Sequence, residues 1–394
     1  MRILLAYSGG LDTSYLIATL ARQGHQVTAC TVDCGGLTDA DRRHLIEHAL
    51  RLGAHNARCL DARDPLYRQV LRWFIAAHVR RGATYPLSVG AERSLQATVL
   101  AKVAQKEAFD ALAHGCTAAG NDQIRFEGAL TVVAPDLPIL APIRDQPVSR
   151  EQQIQWLKSH SLPLPASGGQ YSINAGLWGL TIGGGPLHDP AKPLPEEMWQ
   201  WTAGASKSQQ LSLQFEQGHP VAINGNLLNP VDCIEQLNQM AGACGVGRGY
   251  HLGDTVLGIK GRIAYEAPAA EVLLAAHREL EKLVLTEEQR FWKDHLGEIY
   301  GQRIHQGRYH DPLLRDFECL FESTQTRVSG SAFLSLEHGK AVVTGVTSPY
   351  SMLNASDATY GEQPASLSDP AGPAAFARIL VEPARLYALA ANQG

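Results

Sequence analysis

Two stretches of this chain gather small, polar and charged residues at spacings that could do chemistry. The first is Tyr7-Ser8-Gly9-Gly10-Leu11-Asp12-Thr13-Ser14. Adjacent glycines leave backbone N–H groups uncovered, and the hydroxyls of Ser8, Thr13 and Ser14 add further donors, which suits an anion such as a phosphate. Asp12 among them is a natural ligand for a magnesium ion that screens phosphate charge. No Gly-Lys-Ser/Thr follows the glycines and no Gly-x-Gly-x-x-Gly is formed, which sets aside the common nucleoside-triphosphate loop and the dinucleotide turn. The second stretch is His114-Gly115-Cys116-Thr117-Ala118-Ala119-Gly120-Asn121-Asp122-Gln123-Ile124-Arg125-Phe126-Glu127. A run of small residues followed by so many polar ones is costly to bury unpaired, so it reads as a loop lining a polar cleft. Arg125 is either a fork for a carboxylate or phosphate or the partner of Glu127 or Asp122.

The elements that must position these residues follow from hydrophobic pattern. Residues 2–7 are short and apolar, as in a strand buried on both faces of a parallel sheet. Thr13 and Ser14 are expected to cap a helix with apolar positions Leu16, Ile17, Leu20 and Ala21, stopping at Gly24. Residues 26–32, 56–60 and 111–114 read as further strands, and 39–52, 65–79 and 95–109 as helices. Alternation of this kind predicts an α/β fold with a parallel sheet, in which an adenine and ribose would lie near Val32 at a strand end. Loop composition at Leu162-Pro163-Leu164-Pro165 and Ser167-Gly168-Gly169 marks a domain boundary. Beyond it, 213–223 and 256–265 read as strands, 232–241 and 269–282 as helices. A terminal helix over 373–391, with Leu380, Leu386, Leu389 and Ala390 apolar, is expected to dock either on its own chain or on a neighbour.

The chain has 394 residues, which suggests two or three domains. The net charge of −5 argues against a broad nucleic-acid surface, and no apolar run is long enough to span a membrane. Seven cysteines are scattered without Cys-x-x-Cys pairs, so neither a disulfide framework nor a zinc site is expected. With an opening strand in place of a signal peptide, this composition predicts a cytoplasmic protein.

The two stretches together resemble the argininosuccinate synthase family. Further matches fall in order along nearly the whole chain: Ala141-Pro142-Ile143-Arg144, Tyr171-Ser172, Asp189-Pro190, Pro220 to Gly225, Gly245-Val246-Gly247-Arg248, and Lys260, Arg262, Tyr265, Glu266 and Pro268. The resemblance implies a pyrophosphate-loop parallel-sheet domain of the adenine-nucleotide α-hydrolase type over 1–165. An α+β synthetase domain over 166–365 would follow, then a helical tail over 366–394 that clasps subunits of a homotetramer. It implies a two-step reaction: a ureido oxygen is adenylated by ATP with loss of pyrophosphate, and the amine of L-aspartate then displaces AMP. Such chemistry needs charge neutralisation and alignment more than a nucleophilic side chain. Carried over by position, Ala6, Tyr7, Ser8, Gly9, Gly10, Leu11, Asp12, Thr13, Ser14, Val32 and Gly115 bind ATP, with Mg2+ at Asp12. Thr117, Asn121 and Asp122 bind aspartate. Tyr85, Asn121, Arg125, Ser172, Thr181 and Tyr265 contact the ureido substrate. Asp12, Asp122 and Arg125 are the residues expected to carry catalysis, although Tyr265 also suits a core position with its hydroxyl satisfied.

Departures from the family pattern concentrate at one end of the pocket. A Thr-Ser pair becomes Val89-Gly90, acidic positions become Gly183 and Gly253, and a lysine is lost in Ala118-Ala119. The ureido substrate is therefore expected to be a carbamoyl-bearing compound of a specialised pathway rather than free citrulline. Asp254 or Glu92 could rescue citrulline's amino group, which leaves the ordinary ligase of arginine biosynthesis as the alternative. A non-catalytic binding or regulatory homologue is the reading of another class. A tRNA thiolase also opens with Ser-Gly-Gly-x-Asp, but no catalytic cysteines or basic RNA-binding module stand out here.

Overall fold

The computed structural model describes residues 1–118, 120–165, 171–204, 208–358, 361–362 and 369–391. The first sheet holds β1 (Arg2–Ala6), β2 (Gln26–Asp33), β3 (Asn56–Asp61), β4 (Ala111–Ala113) and β5 (Ile139–Leu140), in the order β3-β2-β1-β4-β5 and all parallel. Because β1 lies between β2 and β4, chain direction around the sheet reverses there, and ligand crevices open at the carboxyl ends of such strands. Ile3, Leu4 and Leu5 are wholly buried, which explains why β1 is apolar on consecutive rather than alternate residues.

Four strands form a second, antiparallel sheet: β6 (Tyr171–Gly176) and β7 (Gly179–Gly184) join two strands that come later in the chain. Before those come β8 (Gln209–Glu216), β9 (His219–Ile223) and β10 (Asn226–Leu227). Then β11 (Arg248–Asp254) and β12 (Lys260–Glu266) complete the order β11-β12-β7-β6. The last two, β13 (Gly330–Glu337) and β14 (Lys340–Thr347), close the third sheet as β10-β9-β8-β13-β14. The helix Pro268–Val284 packs across β13 and β14. One apolar cluster runs from Leu4 and Phe74 through Trp178 to Leu213 and Leu274, so 1–349 shares a continuous core.

Several boundaries differ from expectation. Gly10 rather than Thr13 or Ser14 precedes the first helix, Leu11–Arg22, and no side chain caps it. The expected helix over 65–79 is three pieces, Arg63–Leu66, a wide π turn at Tyr67–Leu71, and Arg72–Ala76. The widened turn lets Tyr67, Val70 and Leu71 share the core with Trp73 to Ala76. The strand expected over 213–223 is a hairpin turned at Gln217-Gly218, both with positive φ (48° and 81°), the geometry that reverses a tight two-residue loop. The strand expected from 256 starts at Lys260, because Thr255 N–H bonds Ile259 O at 2.8 Å and closes a turn. Ser167-Gly168-Gly169 of the expected boundary lies outside the described residues. A second unit, 350–394, carries two helices, Ala371–Leu380 and Glu382–Ala391. The single terminal helix is broken at Val381 because Pro383 cannot continue the hydrogen-bond ladder. Its Phe376, Ile379, Leu380, Leu386, Tyr387 and Leu389 are exposed.

Candidate active site

The chain leaves β1 at Ala6, buries Tyr7, exposes Ser8 and turns at Gly9 with φ 78°. Gly10 is extended and the helix begins behind it without a side-chain cap, so its first-turn N–H groups are left without a side-chain partner at the positive end of the dipole. Ser8 Oγ lies 3.3 Å from Thr13 Oγ1 and accepts from Gly10 N–H at 3.3 Å. These two hydroxyls therefore converge on the turn. Ser14 does not join them: it is wholly buried, its N–H bonds Gly10 O, and its Oγ lies 3.4 Å from His48 Nε2. Burial raises the Tyr7 hydroxyl to about 12, against a smaller lowering by the neighbouring Ser14 hydroxyl.

Gly115, at the carboxyl end of β4, comes against this turn. A Cβ there would stand 3.0 Å from Thr13 Cγ2 and 3.3 Å from Asp12 Cβ, so glycine lets the two loops touch where a side chain would push Thr13 and Asp12 aside by a few tenths of an ångström. Asp12 Oδ1 accepts from Gln153 Nε2 at 2.8 Å, and Gln153 is itself fixed to Val148 O at 3.1 Å. Oδ2 takes no hydrogen bond from a described residue. At the neighbouring strand end, Val32 O accepts from Gln96 Nε2 at 3.2 Å, and buried Asp33 is held by Arg42 at 2.6 Å.

The second stretch enters the helix Asn121–Val133 behind Gly120, again with no side-chain cap. Asp122 sits between two guanidiniums, accepting from Arg93 Nε at 3.1 Å and Arg125 NH1 at 3.0 Å. Burial works against its charge, but Arg93 and Arg125 prevail and hold the carboxyl below the usual range. Arg93 also reaches Gln96 Oε1 and Asn174 Oδ1, each at 3.0 Å, tying the first sheet to the second. Arg125 is buried; its Nε donates to His305 O at 3.0 Å and its NH2 lies 2.9 Å from His305 Nδ1. Arg125 does pair with Asp122, as one of its two sequence readings has it, but buried rather than at the surface. Asn121 Oδ1 accepts from Val256 N–H at 2.8 Å, at the tip of the β11–β12 hairpin. Thr117 is exposed on the loop before the helix.

The remaining expected residues share one face of the second sheet. Tyr265 pairs with Thr181, and Thr181 with Asn174, so all three project the same way, and Ser172 lies two residues along. Tyr85 covers this face, stacked on His251 (centroids 5.4 Å apart) and tilted on Tyr265 (5.1 Å), with its hydroxyl 3.3 Å from Ser88 Oγ. Tyr265 is buried and donates to Thr84 O at 3.0 Å, and burial raises its hydroxyl to about 12. Tyr265 thus has the buried position with a satisfied hydroxyl that its core reading expects. Arg93, Gln153, His251 and His305 were not singled out from sequence. A histidine or glutamine in an amphipathic helix or strand carries no local sign of what it will face.

Among the described residues, His78, His277 and Glu281 place ligand atoms within 4.8 Å of one another. They are not free for a metal ion, because Lys293 Nζ already stands 3.0 Å from Glu281 and 3.1 Å from His78 Nδ1.

A central parallel strand ending in an uncapped, glycine-led helix start, with a second loop pressed against it, defines a nucleotide-binding protein of the pyrophosphate-loop class. A family model described as the arginosuccinate synthase N-terminal HUP domain matches residues 2–163, and one for the C-terminal domain of that enzyme matches 171–379. An argininosuccinate synthase of Methanocaldococcus jannaschii is 36% identical over 94% of this chain and 94% of its own length. One of Bacillus subtilis is 38% identical over 91% of this chain and 90% of its own. The chain belongs to the argininosuccinate synthase family, a family of ATP-dependent ligases.

Proposed function

We propose that this chain joins the amine of L-aspartate to the carbon of a ureido group, splitting ATP to AMP and pyrophosphate. The observation that carries the reading is the contact of Gly115 with Asp12 and Thr13, which sets the phosphate turn directly beside the loop bearing Asn121, Asp122 and Arg125. In this reading the uncapped amides and the Ser8 and Thr13 hydroxyls hold the departing pyrophosphate. Asp12, steadied by Gln153, holds Mg2+, which when bound supplies charge neutralisation at the phosphates. The free Oδ2 of Asp12 fits that ion. Asp122 offers a carboxylate to the amine of aspartate, and Arg93 and Arg125 keep it ionised.

The names of the relatives favour citrulline as the ureido compound, the ordinary reaction of arginine biosynthesis, over a specialised substrate. One observation favours the second reading. The face of the sheet below Tyr85 carries Ser172, Asn174, Thr181, Gly183, Gly249, His251, Gly253, Gly261, Ile263 and Tyr265, and none of these is acidic. Of the two rescue residues, Asp254 pairs at the surface with Lys260 at 2.7 Å. Glu92 is 2% exposed, sealed over Gly176, with burial pushing its carboxyl well up. Pyrophosphate release from ATP and aspartate decides between them: turnover with citrulline at ordinary efficiency establishes the first reading, and turnover only with other ureido compounds the second.

The division into a nucleotide domain (1–165), a synthetase domain (166–365) and a tail (366–394) belongs to the same reading, as do a cytoplasmic setting and a homotetramer. The exposed apolar side chains of the two tail helices support an assembly. A light-scattering mass of four chains, lost on removal of 366–394, is the expected result.

A further inference from the structure

Arg81 belongs to no residue set discussed so far. It lies partly buried in the segment between the Arg72–Ala76 helix and Tyr85, where Arg81 N–H and O both bond Tyr85 backbone groups. Its guanidinium reaches the same His305 ring as Arg125, with NH1 2.8 Å from Nδ1, and also contacts Asp254 O. Two arginines thus lean on one imidazole. Burial, then Arg125 and Arg81, hold that imidazole neutral, with its pKa lowered to about 3. A neutral ring accepts hydrogen bonds but removes no charge. Arg125 has Asp122 as counter-ion, whereas among the described residues no carboxylate lies within 4.0 Å of Arg81. Asp254 gives Arg81 its backbone oxygen directly and its carboxylate only from a distance, because that carboxylate is paired with Lys260 at 2.7 Å. Burial, then the neighbouring Arg125, disfavour the charge Arg81 carries by more than the distant Asp254 carboxylate supports it, so an anion arriving there is favoured.

The space beside it is shaped by absence of side chains. At Gly253 a Cβ would stand 2.5 Å from His251 Nε2, so His251 occupies the room that a side chain at 253 would take. That ring is stacked on Tyr85, and its Nε2 is buried with no hydrogen-bond partner among the described residues. The Tyr85–His251 stack presents ring faces suited to a methylene chain, and both guanidiniums act on it, Arg81 on His251 and Arg125 on Tyr85. An ammonium group there would face two guanidiniums and a bare glycine face.

We infer that Arg81 is a specificity-determining residue, and that it selects a ureido substrate ending in a carboxylate with no ammonium beside it. The inference rests on the ureido–aspartate ligase reading above and names the class of compound that reading leaves open. The ureido group would lie toward Asn121 and the nucleotide, and the carboxylate toward Arg81.

The test is pyrophosphate release by the full chain with ATP, Mg2+ and aspartate and three ureas: ω-ureidovalerate (citrulline without its amino group), citrulline, and an alkylurea with neither charge. The wild-type chain is expected to prefer the ureido acid to both others in kcat/KM, an outcome that needs no variant. R81Q should raise KM for the ureido acid roughly 30-fold or more, the cost of removing one partner of a desolvated charge pair. It should leave KM for ATP and aspartate and the melting temperature nearly unchanged, and R81K should restore part of the loss. Preference of the wild type for citrulline overturns the inference while leaving the ligase reading intact. A rise in KM for aspartate in place of the ureido acid assigns the anion to aspartate and also overturns it. No pyrophosphate release with any urea overturns the ligase reading, and the inference with it.

Discussion

Asp12 illustrates how little of a residue's role resides in the residue. Its place in the first helical turn sets it beside the glycine turn, but Gln153, from a helix far along the chain, decides which of its oxygens is already bonded. Asp12→Asn keeps the shape and the glutamine contact while removing the charge. Pyrophosphate release should fall about 100- to 1000-fold, in line with removal of a preorganised electrostatic partner. The melting temperature without nucleotide should stay within a degree or two, since Asp12 is only partly buried. A calorimetric titration of MgATP then separates lost affinity from lost chemistry. Activity close to wild type would leave the phosphate turn without its assigned task.

At the scale of elements, the helices behind the site are joined by a buried chain of hydrogen bonds that an ion pair closes into a ring. A lysine can only donate, so His78 Nδ1 accepts from Lys293 at 3.1 Å. His78 Nε2 must then carry the proton and donate to His277 Nδ1 at 3.0 Å. His277 Nε2 donates in turn to Gln325 Oε1 at 2.8 Å, and Gln325 Nε2 to Glu281 Oε1 at 2.9 Å. Glu281 Oε2 closes the ring 3.0 Å from Lys293, and Asp294 takes a further Lys293 N–H at 2.9 Å. Both histidine tautomers are thereby fixed. Lys293 is wholly buried, so Lys293→Met would strand Glu281 against Asp294 with no cation between them. The expected loss is about 3–5 kcal/mol in urea unfolding, the usual cost of breaking a buried pair from one side. A loss under 1 kcal/mol, by contrast, would mean that the ring adds little beyond packing.

For the whole molecule, pH should read out the same burial. Burial, then Lys293, lowers His78 and His277 to about 3, and burial, then Arg125, lowers His305 to about 3. The unfolded chain takes protons on these groups below about pH 6.5, and the native state refuses them. Their contribution is therefore complete above about pH 6.5 and is lost as pH falls toward 3, at up to about 1.4 kcal/mol per pH unit for each histidine. Melting temperature recorded from pH 7.5 to 4.5 should fall with a slope that becomes shallower in His277→Gln. A flat profile would contradict the depressed values. At neutral pH, MgATP well above its dissociation constant should raise the melting point by mass action.

The glycine turn between β1 and the first helix was legible in sequence because its parts are local. Ser8 to Ser14 lie within two turns of chain, and the apolar run before them fixes both the strand and the direction of the helix. The parallel first sheet was legible for the same reason, since alternating strands and helices leave few ways to cover β1 on both faces. Boundaries failed where context outweighs local pattern: the π turn at Tyr67–Leu71 serves the core, and the Gln217-Gly218 reversal hides inside an apolar run. What only the tertiary structure decided is which charges meet. Asp122 lies 29 positions from Arg93, and Arg125 lies 180 from His305. No spacing along the chain records such encounters, because each partner is delivered by a different element and the low-dielectric cleft between them exists only once those elements have packed.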